Sequence, residues 1–175
     1  MEVWAYCLMT NHVHLLVVGH RPDSLASAIG RTHMRFARWT NRRQGWSGHL
    51  WANRFFSTPL DEHHLWQAVR YVELNPVRAG IVERAEDYPW SSARAHCFGT
   101  DDALLADSRP FPGPIAHWSS WLAQGLDPEA IAELRQNTAT GRPTGSPEFT
   151  SRLEQQLGRL LRPAKRGRKP KSRNG

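Results

Sequence analysis

The chain has 175 residues, an apolar fraction of 39% and a formal net charge of +7. This length suits one ordinary domain with an appendage, and no run approaches the roughly 20 apolar residues that a membrane helix requires. With two cysteines and no leader pattern, the sequence provides no disulfide framework and indicates a reduced, cytoplasmic protein.

The excess positive charge lies at the C-terminus. Residues 162–175 hold 7 of the 23 basic residues and none of the 16 acidic ones, so the rest of the chain is neutral. Such a tail is predicted to be disordered in isolation and to bind a polyanion, although a purely solubilising tail is the alternative. Its candidate DNA-binding residues are Lys165, Arg166, Arg168 and Lys169.

The segment "EVWAYCLMTNHVHLLVV", residues 2–18, predicts a hairpin of two strands around a turn at Thr10 and Asn11. Alternate residues of a strand share a face, so His12 and His14 are expected to project together about 7 Å apart along the chain. Val13, Leu15 and Val17 are then expected to face the core. The histidine spacing suits chelation of one metal ion, and two surface histidines are the alternative.

A helix is predicted from Ser24 to near Asn41, because apolar residues recur there at helical spacing. Its opposite face stacks arginines at intervals of four, three and four residues, and Arg54 follows in a predicted short strand at residues 54–58. This basic sector suits a phosphate backbone, and a solvated helix face is the alternative. The row consists of Arg31, Arg35, Arg38 and Arg42.

Four aromatic residues follow this helix in the loop that leads to the predicted strand. They could stack on unpaired bases, although aromatic clusters more often form core. They are Trp46, Trp51, Phe55 and Phe56.

The segment "EHHLWQAVRYVELN" predicts a second helix, capped by Asp61 and ended by Pro76. Tyr71 and Asn75 lie four residues apart, so a phenol and an amide share one helix face. Packing by Tyr71 and helix termination by Asn75 are the alternatives. Further helices are predicted from Pro89 or Trp90 and near residues 115–124, 127–137 and 147–161.

Three motifs together resemble those of the REP-associated tyrosine transposases, a branch of the single-tyrosine transposases within the HUH endonucleases. They are "LMTNHVHLLV", "GHLWANRF" and "RYVELNPVRAG" followed by "YPWSS". The resemblance implies a nucleoid-associated endonuclease and strand transferase that acts on single-stranded or hairpin DNA. It also implies that Tyr71 is the nucleophile of a 5′-phosphotyrosine intermediate, and that His12, His14 and Asn75 hold Mg²⁺ or Mn²⁺. A remnant or regulator that binds hairpins without cleaving them is the alternative.

The expected fold is α+β: a ferredoxin-like antiparallel sheet with helices on one face, a helical C-terminal extension and the basic tail. The expected boundaries are 1–99 for the catalytic domain, 100–161 for the loop and helical extension, and 162–175 for the tail. Members of the family usually carry a strand and a helix ahead of the hairpin, which this sequence lacks. A misplaced start, a gene fragment and a truncation compensated by a homodimer are the explanations left open.

Overall fold

The hairpin forms as predicted in the computed structural model, which describes residues 1–107 and 117–163. Strand β1 (Glu2–Leu8) pairs antiparallel with β2 (Val13–Val18), with Cys7 opposite His14. The amide of Met9 donates to the carbonyl of His12 at 2.9 Å and closes the turn. Residues 90–92 run along the outer edge of β1, where the Leu8 amide donates to the Trp90 carbonyl at 2.8 Å.

The prediction that Val13 and Leu15 face the core is wrong. Val13 is 36% exposed and Leu15 is 37% exposed, whereas Leu16 on the opposite face is buried. Alternation along the strand was predicted correctly, but it does not say which face another element covers. The second long helix covers the face that carries Leu16, together with Ala5 and Cys7 of β1.

Helix α1 (Ser24–Gln44) begins where the sequence predicted and extends three residues beyond Asn41. It ends at Gly45, whose φ of 66° is a left-handed conformation that glycine adopts without strain. The segment that follows is irregular, so the predicted strand at residues 54–58 is wrong. In the described ranges no strand pairs with it, and an isolated bridge between Leu60 and Thr144 is the nearest ladder contact.

Helix α2 (Glu62–Glu73) begins at the predicted cap. The Asp61 carboxylate accepts a hydrogen bond from the His64 amide at 2.9 Å, as N-cap aspartates do. The helix ends at Glu73, ahead of Pro76 as predicted, but the proline does not stop helical structure altogether. It lies in the first turn of a short helix α3 (Asn75–Arg78), where the missing N–H of proline has no partner to lose.

The remaining helices belong mostly to the predicted C-terminal extension. A 3-10 turn at Ala85–Asp87 leads to α4 (Ala93–Phe98), which begins later than the predicted start at Pro89 or Trp90. Helices α5 (Trp118–Ala123), α6 (Pro128–Thr140) and α7 (Pro147–Leu157) follow near the predicted positions. Leu122 of α5 and Leu134 of α6 are buried in the same core as residues of α2 and the hairpin.

A buried carboxylate joins several of these elements. The side chain of Glu73, at the end of α2, is fully buried. The Ser92 hydroxyl donates to its Oε1 at 2.6 Å, the His96 Nδ1 lies 2.6 Å from the same oxygen, and the Trp118 indole N–H donates to Oε2 at 2.7 Å. The carboxylate therefore ties α2 to the residues around α4 and to α5.

The predicted α+β class is confirmed, because an antiparallel sheet packs with helices. The described ranges contain a two-stranded sheet, so the ferredoxin-like arrangement stays a prediction. No helix within residues 1–107 and 117–163 is long and apolar enough to cross a membrane. The predicted tail contacts through Lys165, Arg166, Arg168 and Lys169 lie outside the described residues, and the predicted domain boundaries stay predictions.

Candidate active site

The hairpin brings the two predicted histidines together. His12 lies just before β2 and His14 is the second residue of that strand, and their Nε2 atoms are 3.0 Å apart. The rings meet edge to face, with centroids 4.7 Å apart. The Nδ1 of His12 is held on the other side by the Oδ1 of Asn11 at 2.6 Å. This contact orients the ring so that its Nε2 points at His14.

His14 is neutral over most of the pH range in which proteins are folded. Burial, and to a smaller extent the positive charges of His12, Arg135 and Arg78, lower its pKa from 6.5 to about 4. A neutral imidazole keeps a lone pair for a metal ion or a hydrogen bond. His14 can therefore act as a metal ligand at neutral pH, as predicted for it.

Tyr71 of α2 lies against the histidine pair. Its ring meets that of His14 edge to face, with centroids 5.5 Å apart and an interplanar angle of 84°. The half-buried phenol is within reach of two guanidinium groups. Arg135 Nε donates to the Tyr71 hydroxyl at 3.3 Å, and the Arg78 guanidinium carbon lies 5.2 Å from the ring centroid.

Arg78 and Arg135 are the residues at this site that the sequence analysis missed. Arg78 follows Tyr71 by seven residues, two helical turns on, and this spacing could have indicated it. Arg135 comes from α6, 64 residues away from Tyr71. No local pattern connects two residues at that separation.

Asn75, the predicted third ligand, lies near Tyr71 but its amide faces the helix backbone. Its Nδ2 donates to the Tyr71 carbonyl at 2.7 Å and to the Val72 carbonyl at 3.5 Å. The buried side chain thus satisfies carbonyls at the end of α2, where intrahelical donors run out. Its role as a metal ligand stays a prediction.

The histidine pair fits part of the coordination sphere of a divalent metal. Two nitrogens held about 2.1 Å from one ion at a right angle lie about 3 Å apart, which is the spacing of the two Nε2 atoms. Residues 1–107 and 117–163 hold no group of three or more His, Cys, Asp or Glu side chains placed for a metal. The remaining ligands would be oxygens, from Asn75, a substrate phosphate or water.

The four arginines of the predicted row are exposed on α1, and Arg54 is exposed in the following loop. No ion pair among the described residues involves Arg31, Arg35, Arg38 or Arg42. Unpaired arginines on one helix face leave their charges available to a polyanion.

A cavity of about 290 Å³ opens between α1 and the loop after it, with Arg38, Asn41 and Trp51 in its lining. Trp51 stacks on His33 with centroids 4.0 Å apart, and its indole N–H donates to the His33 carbonyl at 3.0 Å. Trp46 and Phe56 are 60% and 61% exposed, so these two predicted aromatics are not core residues.

The fold and the site define an α+β protein in which a helix-borne tyrosine meets a pair of hairpin histidines. The family model described as "Transposase IS200 like" matches residues 1–75, a range that holds His12, His14, Tyr71 and Asn75. The N-terminal part of the chain is thus similar to IS200-like transposases over this range.

A curated relative agrees with this match. The chain is 29% identical over 102 residues to a Haemophilus influenzae protein described as "Putative REP-associated tyrosine transposase". The alignment covers 52% of this chain and 58% of the relative, so the chain spans little more than half the length of that protein. The resemblance to REP-associated tyrosine transposases is confirmed by these two comparisons. No solved structure matches the chain.

Proposed function

We propose that this protein is a transposase that nicks and joins single-stranded DNA, with Tyr71 as its nucleophile. The observation that carries the proposal is the edge-to-face contact of Tyr71 with His14, whose Nε2 lies 3.0 Å from that of His12. All three residues lie within the range matched by the transposase family model. A phenol beside an anchored histidine pair suits phosphoryl transfer through a covalent intermediate.

In the proposed reaction, the Tyr71 oxygen attacks the scissile phosphorus and the bond from phosphorus to the 3′ oxygen breaks. The phenolic proton passes to solvent, and the departing 3′ oxygen takes up a proton from solvent. The products are a 5′-phosphotyrosine and a free 3′-OH. Attack by another 3′-OH reverses the step and joins a new strand. No external energy source is needed, in agreement with the lack of a P-loop motif in the sequence.

His12 and His14, together with Asn75 as predicted, would hold the Mg²⁺ or Mn²⁺ of this site. A bound divalent ion polarises a phosphate oxygen and stabilises a leaving oxygen. The contribution of the chain is to hold two nitrogen donors at a fixed separation. The hydrogen bond from His12 to Asn11 orients one ring, and the packing of His14 against Tyr71 orients the other.

The test is incubation of the full chain with an end-labelled DNA hairpin that carries a single-stranded flank, in Mg²⁺ or Mn²⁺, followed by a denaturing gel. We expect a labelled covalent protein–DNA band that EDTA abolishes and added Mn²⁺ restores. DNA binding without a covalent band in either metal would contradict the proposal. That outcome would favour the alternative, a hairpin-binding regulator.

The exposed arginine row of α1 is proposed to contact the DNA backbone. Arg35→Gln combined with Arg38→Gln removes two charges, so the slope of log affinity against log salt should fall by about 1.4 for a single strand. Fluorescence anisotropy at several salt concentrations measures this slope. The matched control is Arg152→Gln combined with Arg159→Gln, two exposed arginines of the α7 region. Equal slopes for the two double variants would show that the row does not bind DNA.

A further inference from the structure

We propose that Arg135 and Arg78 form a clamp of two guanidinium groups that holds the scissile phosphate at Tyr71. The clamp places one essential part of the active site in the C-terminal helical extension, outside residues 1–75. The inference rests on the proposed function, since it assigns a role at the same site. Nothing in the family match, which ends at residue 75, includes either arginine.

Both guanidinium groups converge on the same phenol. Arg135 Nε donates to the Tyr71 hydroxyl at 3.3 Å, and its guanidinium carbon lies 5.8 Å from the ring centroid. The Arg78 guanidinium carbon lies 5.2 Å from that centroid. The nucleophile therefore has a cationic surrounding supplied by two different helices.

The backbone around each arginine is anchored in the core. Leu134, the neighbour of Arg135 on α6, is buried in the cluster that includes Val69 and Val72 of α2. Arg78 closes α3, which follows α2 directly and buries Pro76. The helices are thus fixed by apolar packing, while the two arginine side chains stay exposed. A phosphate that approaches the phenol can reach both charges.

The charges of the clamp are not neutralised within the described part of the chain. None of the ion pairs found there includes Arg78 or Arg135. An arginine that served only to support the fold would more often pair with a carboxylate or a carbonyl. Here the Arg135 side chain donates instead to the oxygen that would attack.

The proposed reaction develops negative charge where these groups lie. As the Tyr71 oxygen bonds to phosphorus, the non-bridging phosphate oxygens and the departing 3′ oxygen gain negative charge. Guanidinium groups placed beside the phenol stabilise such charge more than they stabilise the ground-state phosphate. Their planar donor sets also match the spacing of two phosphate oxygens. The N–H of Arg135 in addition holds the phenol oxygen near the position from which it attacks.

The test compares Arg135→Gln and Arg78→Gln with Arg152→Gln, a matched change of an exposed arginine on α7. The first measurement is the rate of covalent adduct formation at saturating hairpin DNA and Mn²⁺. The second is the affinity for the same DNA with each change placed in a Tyr71→Phe background. We expect a rate about 100-fold lower for Arg135→Gln and for Arg78→Gln, and affinities within about fivefold of the background. Arg135→Lys should recover only part of the rate, because lysine lacks the planar fork.

Three results would overturn the inference. If the wild-type chain forms adduct and both Arg135→Gln and Arg78→Gln react at the wild-type rate, the clamp is refuted but the proposed function is not. If Arg135→Gln forms adduct more slowly and its melting temperature also lies well below that of Arg152→Gln, Arg135 has a packing role. A wild-type chain that forms no adduct overturns the proposed function and the clamp together.

Discussion

Tyr71→Phe should leave the chain folded and abolish the covalent protein–DNA product, lowering its rate of formation by at least about 10⁴-fold. The substitution removes one oxygen and keeps the aromatic ring that packs edge to face on His14. The hydroxyl contacts the exposed Arg135 at 3.3 Å, so its loss leaves no buried group unpaired. The denaturing gel measures the product, and a melting curve checks the fold.

The other two tyrosines of the chain provide matched controls. The Tyr6 hydroxyl donates to the Asp102 carboxylate at 2.7 Å, and the Tyr88 hydroxyl donates to the Leu8 carbonyl at 2.8 Å. Burial raises the pKa of both phenols, so neither is disposed to ionise. Tyr88→Phe should lose about 1 kcal/mol of stability and keep the covalent product. A covalent band that survives in Tyr71→Phe would show that another residue is the nucleophile.

Glu73→Leu should destabilise the fold by about 3–5 kcal/mol, because it removes a buried carboxylate that lies within hydrogen-bond distance of three side chains. The Ser92 hydroxyl, the His96 imidazole and the Trp118 indole would face an apolar side chain in a site closed to water. Urea unfolding followed by tryptophan fluorescence measures the loss. At urea concentrations near the unfolding transition, formation of the covalent product should also fall, since Glu73 lies two residues from Tyr71 on α2.

Two variants separate the role of the buried carboxylate from that of negative charge in general. Glu73→Gln keeps the side-chain volume and one acceptor oxygen, but its NH₂ group points toward existing donors. The Glu73→Gln protein should therefore lose less stability than the Glu73→Leu protein. Glu133→Gln on α6 changes an exposed carboxylate and should stay within about 0.5 kcal/mol of wild type. A Glu73→Leu protein as stable as Glu133→Gln would refute the assignment of Glu73 as a central tie of the fold.

The amino-acid sequence by itself determined the local elements and the centre of the candidate site. The hairpin of residues 2–18 and the helix that starts after Asp61 follow from alternation, helical periodicity and a capping side chain, which act over a few residues. The convergence of His12 and His14 follows from the same short range. Tyr71 was identified as a candidate site residue from its spacing from Asn75 and from the family resemblance.

The tertiary structure alone decided which faces are covered and which distant residues meet. The pattern of β2 fits burial of either face, and the packing of α2 buried Leu16 and left Leu15 exposed. Glu73 became a buried tie because Trp118, 45 residues on, folds back over it. Arg135 reaches Tyr71 because Leu134 seats α6 in the core. Contacts at such separations depend on the free energy of packing the whole chain, which no local pattern encodes.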